Sequence, residues 1–439
     1  MSVTHVERRR LRRGRWLVLS VPAALYIVSN VHRIAPAVVA ADLMRAFTIT
    51  ASTLGNLAAI YPYVFVVMAL GAGTLVETLG PKRTLALGGV AMAVGAALFG
   101  LAPTFSAAYA GRLLVAVGAS VTFISWLTLA AAWFRPAEFA TVTGWTQLVA
   151  NLGALAASSP LALVVEAFGW RLAFVAVGAA SLLVGILALL LVRDRPDASH
   201  ETVGRAAPGA SLGAVIRAIP AVVSNRRTWP PALAGGLLYG ALIAFQGLWA
   251  VPYLTQVHGF GRVGAANTVA LLAVGMGLGA PVIGWLSDSV LARRRLPMAT
   301  AMGLFAACWL PLAAPGFPRL DPAWFSVLFF VMGFASAGLV LMWASVREVN
   351  DPSRVGLAIS LCNIPVFLSV ALMQWLTGVI LDRGWAGAAV AGARVYPAEA
   401  YEAVFTACLV LAVAAFVAAC LVTETRCRNL WVPADPATR

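Results

Sequence analysis

Charge is scarce in this sequence. Only 11% of its 439 residues are Asp, Glu, Lys or Arg while 61% are hydrophobic, whereas an ordinary soluble domain is about 25% charged. That excludes a soluble globular domain, and with a mean hydropathy of +0.88 the chain reads as a polytopic membrane protein. Acid is scarcer than base, with 17 Asp and Glu against 31 Lys and Arg. Cysteine is sparse too. Four of the five, Cys308, Cys362, Cys408 and Cys420, lie in apolar runs and no C-x-x-C occurs, so neither a disulfide frame, a metal site nor a cofactor is expected. No nucleophile with its base and no metal-ligand cluster falls within the apolar runs, which argues against an enzyme.

The net charge of +14 is unevenly spread. Arg8, Arg9, Arg10, Arg12, Arg13 and Arg15 precede the first apolar run, and Arg193, Arg195, Arg205, Arg217, Arg226 and Arg227 occupy the one long polar stretch. No aromatic residues interleave with them as a base-stacking surface requires, so the expected partner is a lipid bilayer and not nucleic acid. The first apolar run is too long for a cleaved signal peptide and reads as a retained span.

A span takes about 20 apolar residues, and twelve can be drawn: 16–40, 53–76, 83–101, 106–132, 140–166, 171–192, 230–256, 265–287, 297–314, 324–347, 355–380 and 401–423. With the N-terminus in the cytoplasm, the outer segments hold Arg45, Arg171, Arg262, Arg319, Arg383 and Arg394 and two arginines fall inside spans, leaving 23 of the 31 basic residues inside. The positive-inside rule selects that orientation, with both termini cytoplasmic. The expected division is a basic N-tail 1–15, a six-helix half 16–192, a linker 193–229, a second six-helix half 230–423 and a C-tail 424–439. Within the linker, 212–224 reads either as an amphipathic surface helix or as a loose tether. Paired six-span halves are the build of rocking carriers, with a solute site between the halves.

One short charged turn supports the duplication. Gly73, Leu75, Glu77, Lys82 and Arg83 recur 211 residues later as Gly284, Leu286, Asp288, Arg293 and Arg294, each set between two apolar runs. The glycine is expected to let two helices approach closely, with an acid and a basic pair at the membrane face. The turn resembles the G-x-L-x-D-R-x-G-R-R signature loop of the major facilitator superfamily. It departs from it at Glu77 and Thr78, and at Ser289 in the second copy. The resemblance implies an all-α membrane fold of twelve helices in two pseudo-symmetric halves, with these loops as gates.

Ionisable groups inside a span are costly and are candidates for function. Arg33 and Arg112 are the clearest, expected at one height, where two planar forks suit a carboxylate or phosphate. The alternative is that Arg33 reaches the outer surface while Arg112 braces helix ends through backbone carbonyls. His32 is the one span residue whose ordinary pKa lies near neutrality, so it is a candidate for carrying a proton, or else a neutral ring bonded within the helices. No Asp or Glu lies deep in a span: Glu77, Glu166, Asp288, Glu348 and Asp382 all fall near ends, and Glu348 is expected to pair with Arg347. Tyr61, Tyr63, Phe65, Gln147, Asn151, Gln246, Trp249, Asn363 and Gln374 complete the cavity candidates; the amides also serve as helix glue.

Further stretches, His32 to Pro36, Gly111 to Leu114, Trp133 to Pro136, Gly169 to Arg171, Gly247 to Pro252 and Gly284 to Asp288, are similar to bacterial major facilitator carriers of the sugar-phosphate-permease-like and anion:cation-symporter-like kind. That resemblance implies a secondary transporter of a small organic anion in the bacterial inner membrane, monomeric, with Arg33 and Arg112 on the acid group and Phe65 and Asn151 lining the same cavity. Where the family has acids beside those arginines, this chain has His32 and Ala119, so proton symport is not carried over. A distant similarity to the lysosomal dipeptide transporter keeps a zwitterion or dipeptide uniporter open. Export of a siderophore-like metabolite and a nontransporting receptor on the same fold also stay open.

Overall fold

Backbone N–H and C=O groups in hydrocarbon must be satisfied internally, which leaves long apolar runs only the helix. The computed structural model describes residues 5–134, 136–194, 212–315, 322–390 and 392–431. They form α1 (His5–Val38), α2 (Ala40–Phe47), α3 (Ala51–Leu79), α4 (Pro81–Gly100), α5 (Phe105–Trp133), α6 (Pro136–Ala156), α7 (Ser159–Leu191) and α8 (Leu212–Val223). The chain continues as α9 (Trp229–Ala244), α10 (Ala250–Gln256), α11 (Arg262–Trp285), α12 (Arg295–Ala313), α13 (Pro322–Ser336), α14 (Val340–Val349), α15 (Val355–Arg383) and α16 (Ala398–Cys420). A π-helical turn, Phe245–Trp249, joins α9 to α10. The one departure from all-helix among the described residues is a hairpin of two-residue strands, β1 (Ala389–Val390) and β2 (Ala393–Arg394), paired antiparallel.

Among the described residues, eleven helical stretches are long and apolar enough to cross a membrane. One of them, Leu148–Leu191, runs 44 residues, about 66 Å at 1.5 Å per residue and twice the hydrocarbon thickness. Gly169 breaks it with φ 79° and ψ 159°, a conformation that a side chain would strain. The stretch is therefore two spans, and the total is twelve. Beside the break, the Arg171 guanidinium donates to the carbonyls of Gly100 (3.1 Å) and Ala102 (2.8 Å) and stacks on Trp170. It satisfies carbonyls that the end of α4 leaves open.

The chain packs as two compact units: Met1–Val39 with Tyr63–Gly209, and Ala40–Pro62 with Ala210–Arg439. In the first, α4 lies against α5 and α7, and α1 against α5, α6 and α7. Glycines let α4 and α5 touch backbone to backbone: a Cβ at Gly118 would lie 2.4 Å from the Gly88 carbonyl oxygen, and one at Gly95 2.7 Å from that of Gly111. In the second, α9 packs on α15 and α16, α11 on α13, and α12 on α16. The segment α8 occupies the stretch that reads as surface helix or tether, and its Val222 is buried with Ala232, Val346, Ala358 and Cys362.

Candidate functional site

In the first unit the sequence of α1 explains the position of Arg112. Pro36 has no N–H, so the carbonyl of His32, four residues earlier, lacks its helical donor. Arg112, buried on α5, supplies one: Nη1 donates to His32 O and Nη2 to Arg33 O at 3.4 Å. The two arginines are thus at one level. The two nitrogens at the end of the Arg112 fork go to backbone carbonyls, while the Arg33 side chain is half-buried. His32 is wholly buried and faces α7, with Nε2 3.3 Å from Ser181 Oγ and the ring beside Phe174.

Of the other candidates here, Phe65 is half-buried and Tyr63 exposed. Asn151 on α6 is 9% exposed, and its Nδ2 has no hydrogen-bond partner among the described residues. Gly153, two residues on, brings α6 onto α1, where a Cβ would meet Asn30 at 2.6 Å. The Gln147 side chain lies outside the described residues.

The remaining candidates belong to the second unit. Tyr61 and Gln246 are buried, and Trp249 donates to Thr377 Oγ1 at 2.8 Å. Gln374 is 2% exposed, and its Oε1 has no partner among the described residues. Its amide lies near Gly247 of the π turn, a distortion found often at functional sites. Asn363 accepts from Trp343 Nε1 at 3.3 Å.

Among the described residues, the two signature loops show different contacts. In the second, Arg294 binds Asp288, donates to Ser287 Oγ (2.9 Å) and grips Glu348 of α14 through Nε (3.1 Å to each oxygen) and Nη2 (2.7 Å). Glu348, expected to pair with Arg347, pairs with Arg294 instead, because its side chain turns inward where that guanidinium is the available cation. Burial alone would lower the Arg294 pKa, but bonds to Glu348 and Asp288 raise it above its ordinary value. Arg293 is exposed, its amide donating to Ser287 O. In the first loop Lys82 is half-buried and Arg83 exposed, and the Glu77 side chain lies outside the described residues. The close approach expected at Gly73 and Gly284 is not found among the described residues, none of which lies within 4 Å of where a Cβ would stand at either. Close backbone approaches occur at other glycines, those of the α4–α5 seam among them.

Two acids that sequence reasoning missed cap the helices after these loops. Asp194 Oδ1 accepts from the Lys82 amide at 2.8 Å at the start of α4. Glu424 accepts from the amides of Arg294 (2.9 Å) and Arg295 (3.1 Å) at the start of α12. Each acid follows the last span of its half, and that shared placement is the signal that marks them.

The family model of the Major Facilitator Superfamily matches residues 22–340 and 250–436. The chain is similar to a probable sulfoacetate transporter, SauU, of Cupriavidus necator, 25% identical over 64% of this chain and just under two thirds (66%) of that protein. It is similar to the membrane sensor protein UhpC of Salmonella typhimurium, 24% identical over 78% of this chain and 80% of that one. A hexuronate transporter of Escherichia coli is 23% identical over 57% of this chain and 60% of its own. Among solved structures, a bacterial homolog of the human lysosomal transporter Spinster superposes with a TM-score of 0.73 at 19% identity, covering 96% of this chain and 99% of that one.

Proposed function

The chain belongs to the Major Facilitator Superfamily, is a multi-pass membrane transporter and not an enzyme, and we propose that its solute is a small organic anion or zwitterion bound through Arg33. The observation that carries this is the bonding of Arg112 to the carbonyls of His32 and Arg33. It ties α5 to α1 at His32 and Arg33 and so supports the Arg33 fork at a defined depth. Arg33 takes the acid group, and Arg112 is a positioning residue. Relatives named for sulfoacetate and hexuronate support an acidic solute, and so does the cost of keeping guanidinium groups inside a span. Phe65 and Asn151 of the same unit are the further solute contacts in this reading. The protein sits in the bacterial inner membrane with both termini inside, as its distribution of arginine supports.

The test begins with a thermal-shift screen of purified protein against organic acids, sugar phosphates and dipeptides, because a ligand stabilises the state it binds. With the best ligand, uptake into proteoliposomes falls at least about tenfold in Arg33→Ala and nearly as far in Arg33→Lys, since an ammonium point charge does not reproduce the fork. Full activity in Arg33→Lys sinks the assignment. A second reading has its own support: sensor proteins match about four fifths of their length to this chain. A ligand that stabilises the protein yet is never accumulated or exchanged would favour that receptor reading.

A further inference from the structure

One helix is shared between the two compact units. Residues Ala40–Pro62 pack with the second unit, while Tyr63 and the remainder of the helix pack with the first, so the boundary crosses α3 at Pro62. A proline there removes the N–H that the Ala58 carbonyl would accept and weakens the ladder at that point.

The entry into α3 is fastened to the second unit by named groups. The Asp382 carboxylate, at the end of α15, accepts from the amides of Ala51 (3.0 Å) and Ser52 (2.8 Å), the first residues of α3. The Tyr396 hydroxyl donates to Asp382 at 3.0 Å, and Arg394 of β2 pairs with it at 3.4 Å while lying over the Trp385 ring. An anion at a helix N-terminus meets unsatisfied N–H groups and the positive end of the dipole together. Behind this cap the two helices touch closely. A Cβ at Gly378 would stand 2.4 Å from the Ala51 carbonyl oxygen, and one at Gly55 2.2 Å from that of Gln374. A second tie lies alongside, where Asp42 of α2 pairs with Arg262 at the start of α11 at 2.8 Å.

We propose that Asp382 is the keeper of a reversible clasp, holding the first turn of α3 on α15, and that its release frees residues 40–62 about Pro62 during the transport cycle. The glycine contacts supply fit without bonds of their own. The carboxylate supplies the directional bonds, which are made or lost as a set when the helix end lifts. The clasp rests on the carrier reading but not on any solute.

Its test therefore needs none. Ala58 is buried one turn beyond Gly55 on the same face of α3, so Ala58→Cys reports opening through its rate of reaction with a soluble maleimide in nanodiscs. Adding Asp382→Ala should speed labelling about tenfold, the factor expected for losing charge-assisted bonds. Tyr396→Phe, which leaves the carboxylate in place, should give a smaller rise. Native Cys408, buried in α16, must stay unreactive in the same sample; if Asp382→Ala fails that check, Asp382→Asn and Tyr396→Phe decide. Labelling within twofold of the Ala58→Cys parent in the folded Asp382 variants overturns the proposal. Faster labelling with no solute found for Arg33 would leave the clasp standing and the anion reading unsupported.

Discussion

At the scale of the residue, a proline and an arginine on different helices share one task. Pro36 deprives the His32 carbonyl of its donor, and Arg112 provides another. Leaving a buried carbonyl unsatisfied costs about 1–3 kcal/mol, so Arg112→Gln should destabilise by about that much. Pro36→Ala restores the missing N–H and should recover about 1 kcal/mol of the loss. A double-mutant cycle of unfolding in detergent measures that coupling, and strict additivity would refute the link. His32, wholly buried against Ser181, has a different expected outcome. If a pH gradient drives accumulation, His32→Gln should keep that response while lowering the melting temperature, and loss of the response would return the proton role to His32. The sequence made Arg33, Arg112 and His32 visible because ionisable groups stand out in an apolar run. It did not show which way each side chain turns, because that depends on which neighbouring helix offers a partner.

At the scale of the element, the helix N-termini after both signature loops are closed by acids from the end of the same half, Asp194 and Glu424. Burial works to raise the Glu424 pKa, but the amides of Arg294, Arg426 and Arg295 and the charge of Arg293 hold it below its ordinary 4.5. A depressed carboxyl pKa adds stability that is fully present above the unfolded value and is lost as pH falls through the folded one. Glu424→Gln should therefore melt about 1–3 °C below the parent at pH 7, with the gap closing below about pH 4.5. A gap independent of pH across that range would count against the charged cap. The α4–α5 seam yields a second outcome at this scale. Gly118→Ala places a methyl 2.4 Å from the Gly88 carbonyl oxygen, so a loss of about 1–3 kcal/mol is expected, read as a lowered melting temperature. An unchanged melting temperature would show that the helices part without cost.

Across the whole molecule, the repeat spaced at 211 residues shows different contacts among the described residues of its two loops. The second loop is locked by Arg294 across Asp288 and Glu348, with Thr425 of the C-terminal segment also donating to Glu348. The first is tied through the Lys82 amide to Asp194. A latch in these loops biases the conformational balance, so a Glu77→Gln, Asp288→Asn double change should alter both transport rate and the accessibility of cysteines placed along the spans. Unaltered values of both would remove the latch. The Asp288 change should account for most of the effect, since its partner Arg294 is held on three sides.

Residue order alone identifies a membrane protein of twelve spans in duplicated halves. Span number follows from the length of apolar runs, and duplication is written in residue type at a fixed interval; neither depends on packing. Folding sets the rest: Arg112 serves the backbone, Glu348 pairs with Arg294, and Asp382 holds the start of α3 from more than three hundred residues away. Each is a choice of partner, and in an interior where an unsatisfied polar group is costly, partners are assigned by which groups the folded helices bring within bonding distance.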